Sequence, residues 1–307
     1  EGDTTLPGGL LPLLSLPLAK IDLDTVRAWL KEEAERRPTQ ANNAFVRLRA
    51  FLNWCGDCAE YRDQINADAC NSRMARDELP KKKAKDDCLQ REQLNAWFGK
   101  VRAISNPVIS AYLQITLLTG ARREEVAGIK WRDVDFQWKT IRIADKVEGE
   151  RSIPLTPFVE SLLADLQRRN ETPPPRYRIL DGKKIENDLE NWRPSEWVFA
   201  SRKAKSGRLQ DPSIQHRAAC AAADIEGLTL HGLRRSFGTL SEWVEAPVGV
   251  VAQLMGHAPS AIAEKHYRRR PLDLLRMWHS KIEGWILEQA GIEQPSDEAK
   301  PGLKVAV

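Results

Sequence analysis

From Asp24 the apolar positions Val26, Trp29 and Leu30 recur at helical spacing, Asp22 and Asp24 suit a helix start, and Pro38 closes the run. A second helix is expected from Thr39 to about Cys58, burying Phe45, Leu48, Leu52 and one ring of the Phe51/Trp54 pair. The basic run from Pro80 to Lys85 then interrupts the periodicity and reads equally as an interdomain linker or a solvated loop. Helical spacing returns from Leu89 through Trp97 and from Val108 to Leu118. Between Trp131 and Leu155 the period changes: Ile141 and Ile143 alternate with polar residues, Glu148, Gly149 and Glu150 form a turn, and Ser152 to Leu155 reads as a returning strand. Residues 170–196, with three consecutive prolines from Pro173, read as a long polar excursion. Helices are expected again over 212–223, 230–242, 247–255 and 271–289. The whole describes a mainly α protein with a small antiparallel β-sheet (α+β), divided into a helical region with its linker (1–85), a larger domain (86–290) and a flexible tail (291–307).

Composition agrees with two globular domains: 307 residues, 42% hydrophobic and 29% charged, exclude collagen-like and wholly disordered chains. The aliphatic stretch from Leu6 to Ala19 is short, cut by Pro7, Pro12 and Pro17, and lacks a basic flank, so no membrane span is expected. Five cysteines without a disulfide rhythm point to a reducing compartment. Cys55 and Cys58 form a CxxC with no second close Cys/His pair, which favours two helix cysteines over a zinc site. The first residue is Glu1, as in a fragment or a processed chain.

The net charge of +4 is unevenly spread. Residues 1–80 carry ten Lys or Arg against thirteen Asp or Glu, so the positive surplus lies wholly in the remainder. It is clustered at Lys81, Lys82, Lys83 and Lys85, at Arg122 and Arg123, between Arg202 and Arg208, at Arg234 and Arg235, and at Arg268 to Arg270. Such clusters neutralise phosphates locally.

Four strings carry candidate chemistry. In the string from Thr119 to Glu125, Gly120 and Arg122 sit at a helix start, where backbone donors and guanidinium groups face an anion. His231 and Arg234 lie three apart on one helical face. Leu254, Met255, Gly256 and His257 precede Tyr267 by about ten residues, and that tyrosine sits among Lys265, His266 and three arginines, which favours a phenolate beside a phosphate. Lys146 falls in the expected hairpin turn, with Lys139 and Lys130 as rivals. Alone, the first two strings are weak and Lys146 is an ordinary exposed lysine, while the string that ends at Tyr267 is more unusual, its bland reading a snorkelling aromatic on a basic helix.

Together and in this order they resemble the tyrosine recombinase (phage integrase) family, whose pattern is an Arg in TGxRxxE, a hairpin Lys, HxxR, a His after LG, and a nucleophilic Tyr. Here these become Arg122 with Glu125, Lys146, His231 with Arg234, His257 and Tyr267, over roughly residues 86–285. Met255 replaces the commoner Leu of the LGH string. The resemblance implies the recombinase catalytic fold preceded by a helical core-binding domain, entered partway because two helices precede the linker, with no upstream arm-binding domain in this chain.

It implies that Tyr267 attacks a DNA phosphodiester to form a 3′-phosphotyrosyl bond, that Arg122 and Arg234 hold the non-bridging oxygens, that Lys146 protonates the 5′-oxygen, that His231 manages the tyrosine proton and that His257 bonds the phosphate. Neither ATP nor a metal or other cofactor is required. The implied partners are a double-stranded attachment site, a DNA-bound homotetramer and accessory DNA-bending proteins, in the cytoplasm at the bacterial nucleoid. Lys81, Lys82, Lys83, Lys85, Arg123 and Arg235 are further candidate DNA contacts. A type IB topoisomerase uses a similar residue set as a monomer, and an idle DNA-binding relic would lack a key residue; none is missing. The last helix, with Leu275, Trp278, Ile282, Trp285 and Ile286 on one face, either closes its own domain or, as the resemblance favours, docks on a neighbouring protomer.

Overall fold

A computed structural model describes residues 7–79, 85–145, 149–180, 183–257 and 270–295. Among the expected site residues, Lys81, Lys82, Lys83, Lys146 and Tyr267 lie outside those described. The chain separates into two compact units, Glu1–Lys85 and Asp86–Val307.

The first unit contains α1 (Leu11–Leu14), α2 (Leu23–Arg36), α3 (Pro38–Asp57) and α4 (Ser72–Glu78). Asp22 caps α2, its carboxylate accepting from the Thr25 N–H at 2.8 Å. Val26, Trp29 and Leu30 of α2 meet Phe45, Leu48 and Leu52 of α3 and Met74 of α4 in one apolar cluster. Two details correct the sequence reading. Neither Phe51 nor Trp54 is buried: the rings stack on each other in solvent, while Cys55, three and seven residues after Leu52 and Leu48, takes the inward position. Helices α1 and α4 add to the two expected, both too short to show a period.

The second unit is built around α6 (Pro107–Thr119), buried from Ile109 to Thr119 on every face. A helix apolar all round belongs at the centre of a domain. Its polar side chains turn inward to their own backbone: Thr116 and Thr119 donate to the carbonyls of Tyr112 and Ile115, both at 2.7 Å. Around it pack α5 (Leu94–Arg102), α8 (Pro157–Glu171) and α10 (Leu230–Ser241), with α7 (Arg123–Ala127), α9 (Ser213–Ala222) and α11 (Val248–Met255) completing the shell. The expected hairpin is the core of a three-stranded antiparallel sheet in the order β1 (Val134–Asp135), β2 (Thr140–Asp145), β3 (Gly149–Pro154), with Ile141 opposite Ile153 and Ile143 opposite Arg151. Helix α8 was not among the expected elements, although Phe158, Val159, Leu163 and Leu166 announce it at helical spacing. The polar excursion holds a second hairpin, β4 (Tyr177–Leu180) with β5 (Lys183–Glu186).

The last helix, α12 (Leu272–Gln289), corrects the favoured expectation that it docks on a neighbour. Leu275, Ile282, Ile286 and Leu287 are buried in the core of their own unit. His279 contacts the Leu118 carbonyl at 2.9 Å, and Glu283 caps α8, accepting from the Phe158 N–H at 2.9 Å and the Val159 N–H at 3.3 Å as well as from the Thr156 hydroxyl. Trp278 and Trp285 lie at the edge of this core. The segment assigned to a flexible tail begins in the same way: Gln294 donates to Glu283 at 3.0 Å. Among the described residues no helix is long and apolar enough to cross a membrane.

Candidate functional site

Two helices that end on left-handed glycines frame the site. Gly120 (φ +59°) stops α6 and Gly256 (φ +70°) stops α11, turning their last carbonyls outward. A side chain at 120 would meet both the αL penalty and the Phe237 ring, which leaves no room for a Cβ. The carbonyls of Gly120 and Met255 each accept from Arg234 Nη1 at 2.7 Å, and Arg234 is 4% exposed. Helix C-termini carry partial negative charge, so this guanidinium is held where two helix ends converge.

Arg122 stands at the start of α7, in the extended conformation of an N-cap. Glu125, one turn later, receives the Arg122 N–H at 2.9 Å and Arg122 Nη1 at 2.6 Å, while Arg122 Nη2 reaches the Gly256 carbonyl at 3.1 Å. The same carboxylate takes Arg151 Nη2 at 2.8 Å. Burial opposes ionisation of Glu125, but the hydrogen bonds from Arg151 and Arg122 outweigh it and hold the carboxyl below its usual range. One ionised carboxylate thus orients two guanidinium groups, and with Arg234 the cluster keeps a positive surplus suited to a phosphate and to the extra charge of a pentacoordinate transition state.

His231 and His257 stand at the exposed rim. Partial burial, then the Arg235 and Arg234 cations and more weakly Arg122, lower the pKa of His231, with Asp87 pulling the other way. Partial burial and then Arg234, Arg122 and Arg151 lower that of His257. Both rings therefore feel Arg234 and Arg122 and are neutral at pH 7, each with one ring nitrogen to donate and one to accept.

The structure thus brings together Arg122, His231, Arg234 and His257. Arg123 is exposed beside Glu124, Arg235 is half-buried and paired with Asp87, and Lys85 is exposed at the end of the first unit. Of the rivals to Lys146, Lys139 pairs with Glu160, and Lys130 pairs with Glu196 at 2.8 Å and lies over the Trp197 ring. Arg151 is a site residue the sequence reading passed over, though a signal exists. It shares a strand face with Ile153, which is 1% exposed, so a charged side chain sits at an inward-facing position.

The matches to known proteins follow the same division. The model of the phage integrase core-binding domain matches residues 1–77, and that of the phage integrase family matches residues 89–271. Prophage integrase IntF of Escherichia coli (strain K12) is 50% identical over 289 residues, 94% of this chain but 58% of that protein, so the chain spans little more than half of its relative's length. Tyrosine recombinase XerD of Proteus mirabilis is 24% identical over 271 residues, 86% of this chain and 79% of its own. Among solved structures, the Tn1549 transposon integrase in complex with circular intermediate DNA shares the fold at a TM-score of 0.60 and 18% identity, covering 86% of both chains. A lambda integrase dimer bound to a COC′ core site does so at 0.57 and 16%, covering 84% of this chain and 85% of the other.

Proposed function

The chain belongs to the phage integrase family, and from that premise we propose that it is a site-specific DNA recombinase working through a tyrosine nucleophile. The observation that carries this reading is the cradle in which Arg122 and Arg234 are fixed by the ends of α6 and α11, with two neutral histidines at its rim. Tyr267 is the nucleophile. Its oxygen bonds to phosphorus as the bond to the 5′-oxygen breaks, its proton passes to His231, and Lys146 protonates the departing 5′-oxygen. Arg122 and Arg234 carry the non-bridging oxygens, which gain charge in the transition state, and His257 donates to one of them. Attack by a 5′-hydroxyl reverses the sequence. The phosphoester bond is exchanged rather than hydrolysed, so its energy is kept.

Tyr112, in the core of the second unit, is ill suited to that role: burial pushes it up to about 12, and its hydroxyl donates to the Arg123 carbonyl at 2.9 Å. Relatives of the same fold are seen holding a circular intermediate DNA and a core site, which supports a double-stranded attachment site as the substrate here. Complete exchange cuts four strands, one per protomer, hence a DNA-bound tetramer acting at the nucleoid with DNA-bending accessory proteins. Lys81, Lys82, Lys83, Lys85 and Arg123 are proposed as backbone contacts. The test is a nicked suicide duplex carrying a candidate attachment site. The chain should form a DNA adduct that survives denaturing electrophoresis, and the absence of any adduct over a panel of such sites would overturn the reading.

A further inference from the structure

Helix α10 has two working faces. At 100° per residue, Thr229, Gly232 and Ser236 fall on one side, and His231 and Arg234 on the opposite side. The first face is bolted to residues 87–89, the segment that opens the second unit. Asp87 accepts from the Thr229 hydroxyl at 2.5 Å and the Thr229 N–H at 3.3 Å, and it pairs with Arg235. Thr229 in turn caps α10, accepting from the Gly232 N–H at 3.0 Å. Two residues on, the Leu89 N–H donates to Ser236 Oγ at 2.7 Å, and Ser236 donates to the Gly232 carbonyl at 2.8 Å. The approach is so close that a Cβ on Gly232 would run into the Asp87 carbonyl oxygen.

We propose that Asp87 is a positioning residue for strand cleavage, fixing the height and rotation of α10 so that His231 and Arg234 meet the phosphate together. The inference rests on the functional reading above. A helix held only by its apolar side could slide or turn by a fraction of an ångström within its packing. The bonds to Thr229 and Arg235 anchor its first turn and its middle from the segment that opens the unit, Thr229 on the face away from the chemistry and Arg235 between the two faces. The Asp87 side chain is 10% exposed, and although burial works against its ionisation, bonds from Thr229 and Arg235 lower its pKa. It is therefore charged, and it is the acidic group acting on His231 against the cations Arg235 and Arg234 on the same helix and Arg122 at the start of α7.

Two variants separate charge from anchoring. Asp87→Asn is nearly isosteric and keeps an acceptor for Thr229 but removes the charge; Thr229→Val keeps the charge but removes the hydroxyl anchor. Imidazole titration of His231 by NMR in the free full chain reads the first effect without reference to DNA chemistry. Single-turnover cleavage of the suicide duplex, with binding measured in parallel, reads the second. In Asp87→Asn the His231 pKa should fall, with the acid limb of the cleavage profile moving to lower pH. In Thr229→Val the titration should stay within a few tenths of a unit while cleavage drops by about tenfold to a hundredfold, the scale of a small misplacement of reacting groups, with affinity held within about twofold. An unmoved titration in Asp87→Asn, or cleavage by Thr229→Val within twofold of the parent, would overturn the proposal. A parent chain that forms no adduct would instead overturn the functional reading, and the titration would still test whether the Asp87 charge acts on His231.

Discussion

Deleting residues 271–307 should unfold the second unit, because α12 is part of its core. Leu275, Ile282, Ile286 and Leu287 are each no more than 2% exposed. At about 1.5–3 kcal/mol per fully buried aliphatic side chain they contribute roughly 6–12 kcal/mol, partly offset by the entropy of ordering the helix. The entire stability of a typical domain is about 5–15 kcal/mol. Loss of α12 also strips the Thr156 hydroxyl and the Phe158 and Val159 N–H groups of Glu283, and the Leu118 carbonyl of His279. The truncated chain should collect in the insoluble fraction, or bind a hydrophobic dye and lose its cooperative urea transition. A gentler version is Ile282→Ala in the full chain, where a residue of 0% exposure is hollowed out at a cost of about 2–5 kcal/mol. Its urea midpoint should drop by about 1 M. A truncated chain that is soluble and unfolds cooperatively, together with an Ile282→Ala midpoint equal to the parent's, would take α12 out of its own core and return it to a role between protomers.

Arg122→Ala and Arg234→Ala should each slow single-turnover cleavage by about 10²-fold or more while weakening DNA binding far less; a parent-like rate in either would make that arginine a structural contact. Burial holds His216 and His279 down to about 4, below the ordinary value of 6.5, so the unfolded chain takes up protons that the folded chain refuses. Stability should therefore be fully present above pH 6.5 and decline between pH 6.5 and 4 by on the order of a few kcal/mol, and His279→Gln should flatten part of that decline in urea titrations at stepped pH; a parent profile flat across the window would contradict it. Log affinity for DNA should fall linearly with log salt, and replacing Lys81, Lys82, Lys83 and Lys85 by Ala should reduce the slope by up to roughly 0.9 for each phosphate no longer neutralised. An unchanged slope would remove the linker from the DNA backbone.

What the sequence disclosed and what it withheld divide along the range of the interactions. Val26, Trp29 and Leu30, or Ile141 and Ile143, announce their elements because periodicity is a property of neighbours, and Arg122, His231, Arg234 and His257 were legible because each sits in a short string. Asp87 is silent: its partners lie 142 and 148 residues downstream, and nothing in its neighbourhood distinguishes it from Asp86. Glu125 was visible as the mate of Arg122, but its second guanidinium, Arg151, arrives from the facing strand. The apolar stripe of α12 was read correctly as demanding burial; which surface buries it depends on α6, α8 and β3, and a stripe does not name its partner. Phe51 and Trp54 show the reverse error, since one ring of the pair was expected inward where the 3.6-residue period gives that position to Cys55.

Strand exchange of this kind runs through the oxygen of Tyr267, and peptide mapping of the covalent adduct by mass spectrometry identifies the nucleophile. After trapping on the nicked duplex, nuclease trimming and proteolysis, the nucleotide mass should reside on the peptide that contains Tyr267, and Tyr267→Phe should give no adduct while still binding the duplex. A nucleotide-bearing peptide containing Tyr61, Tyr112 or Tyr177, or an adduct that persists in Tyr267→Phe, would contradict it.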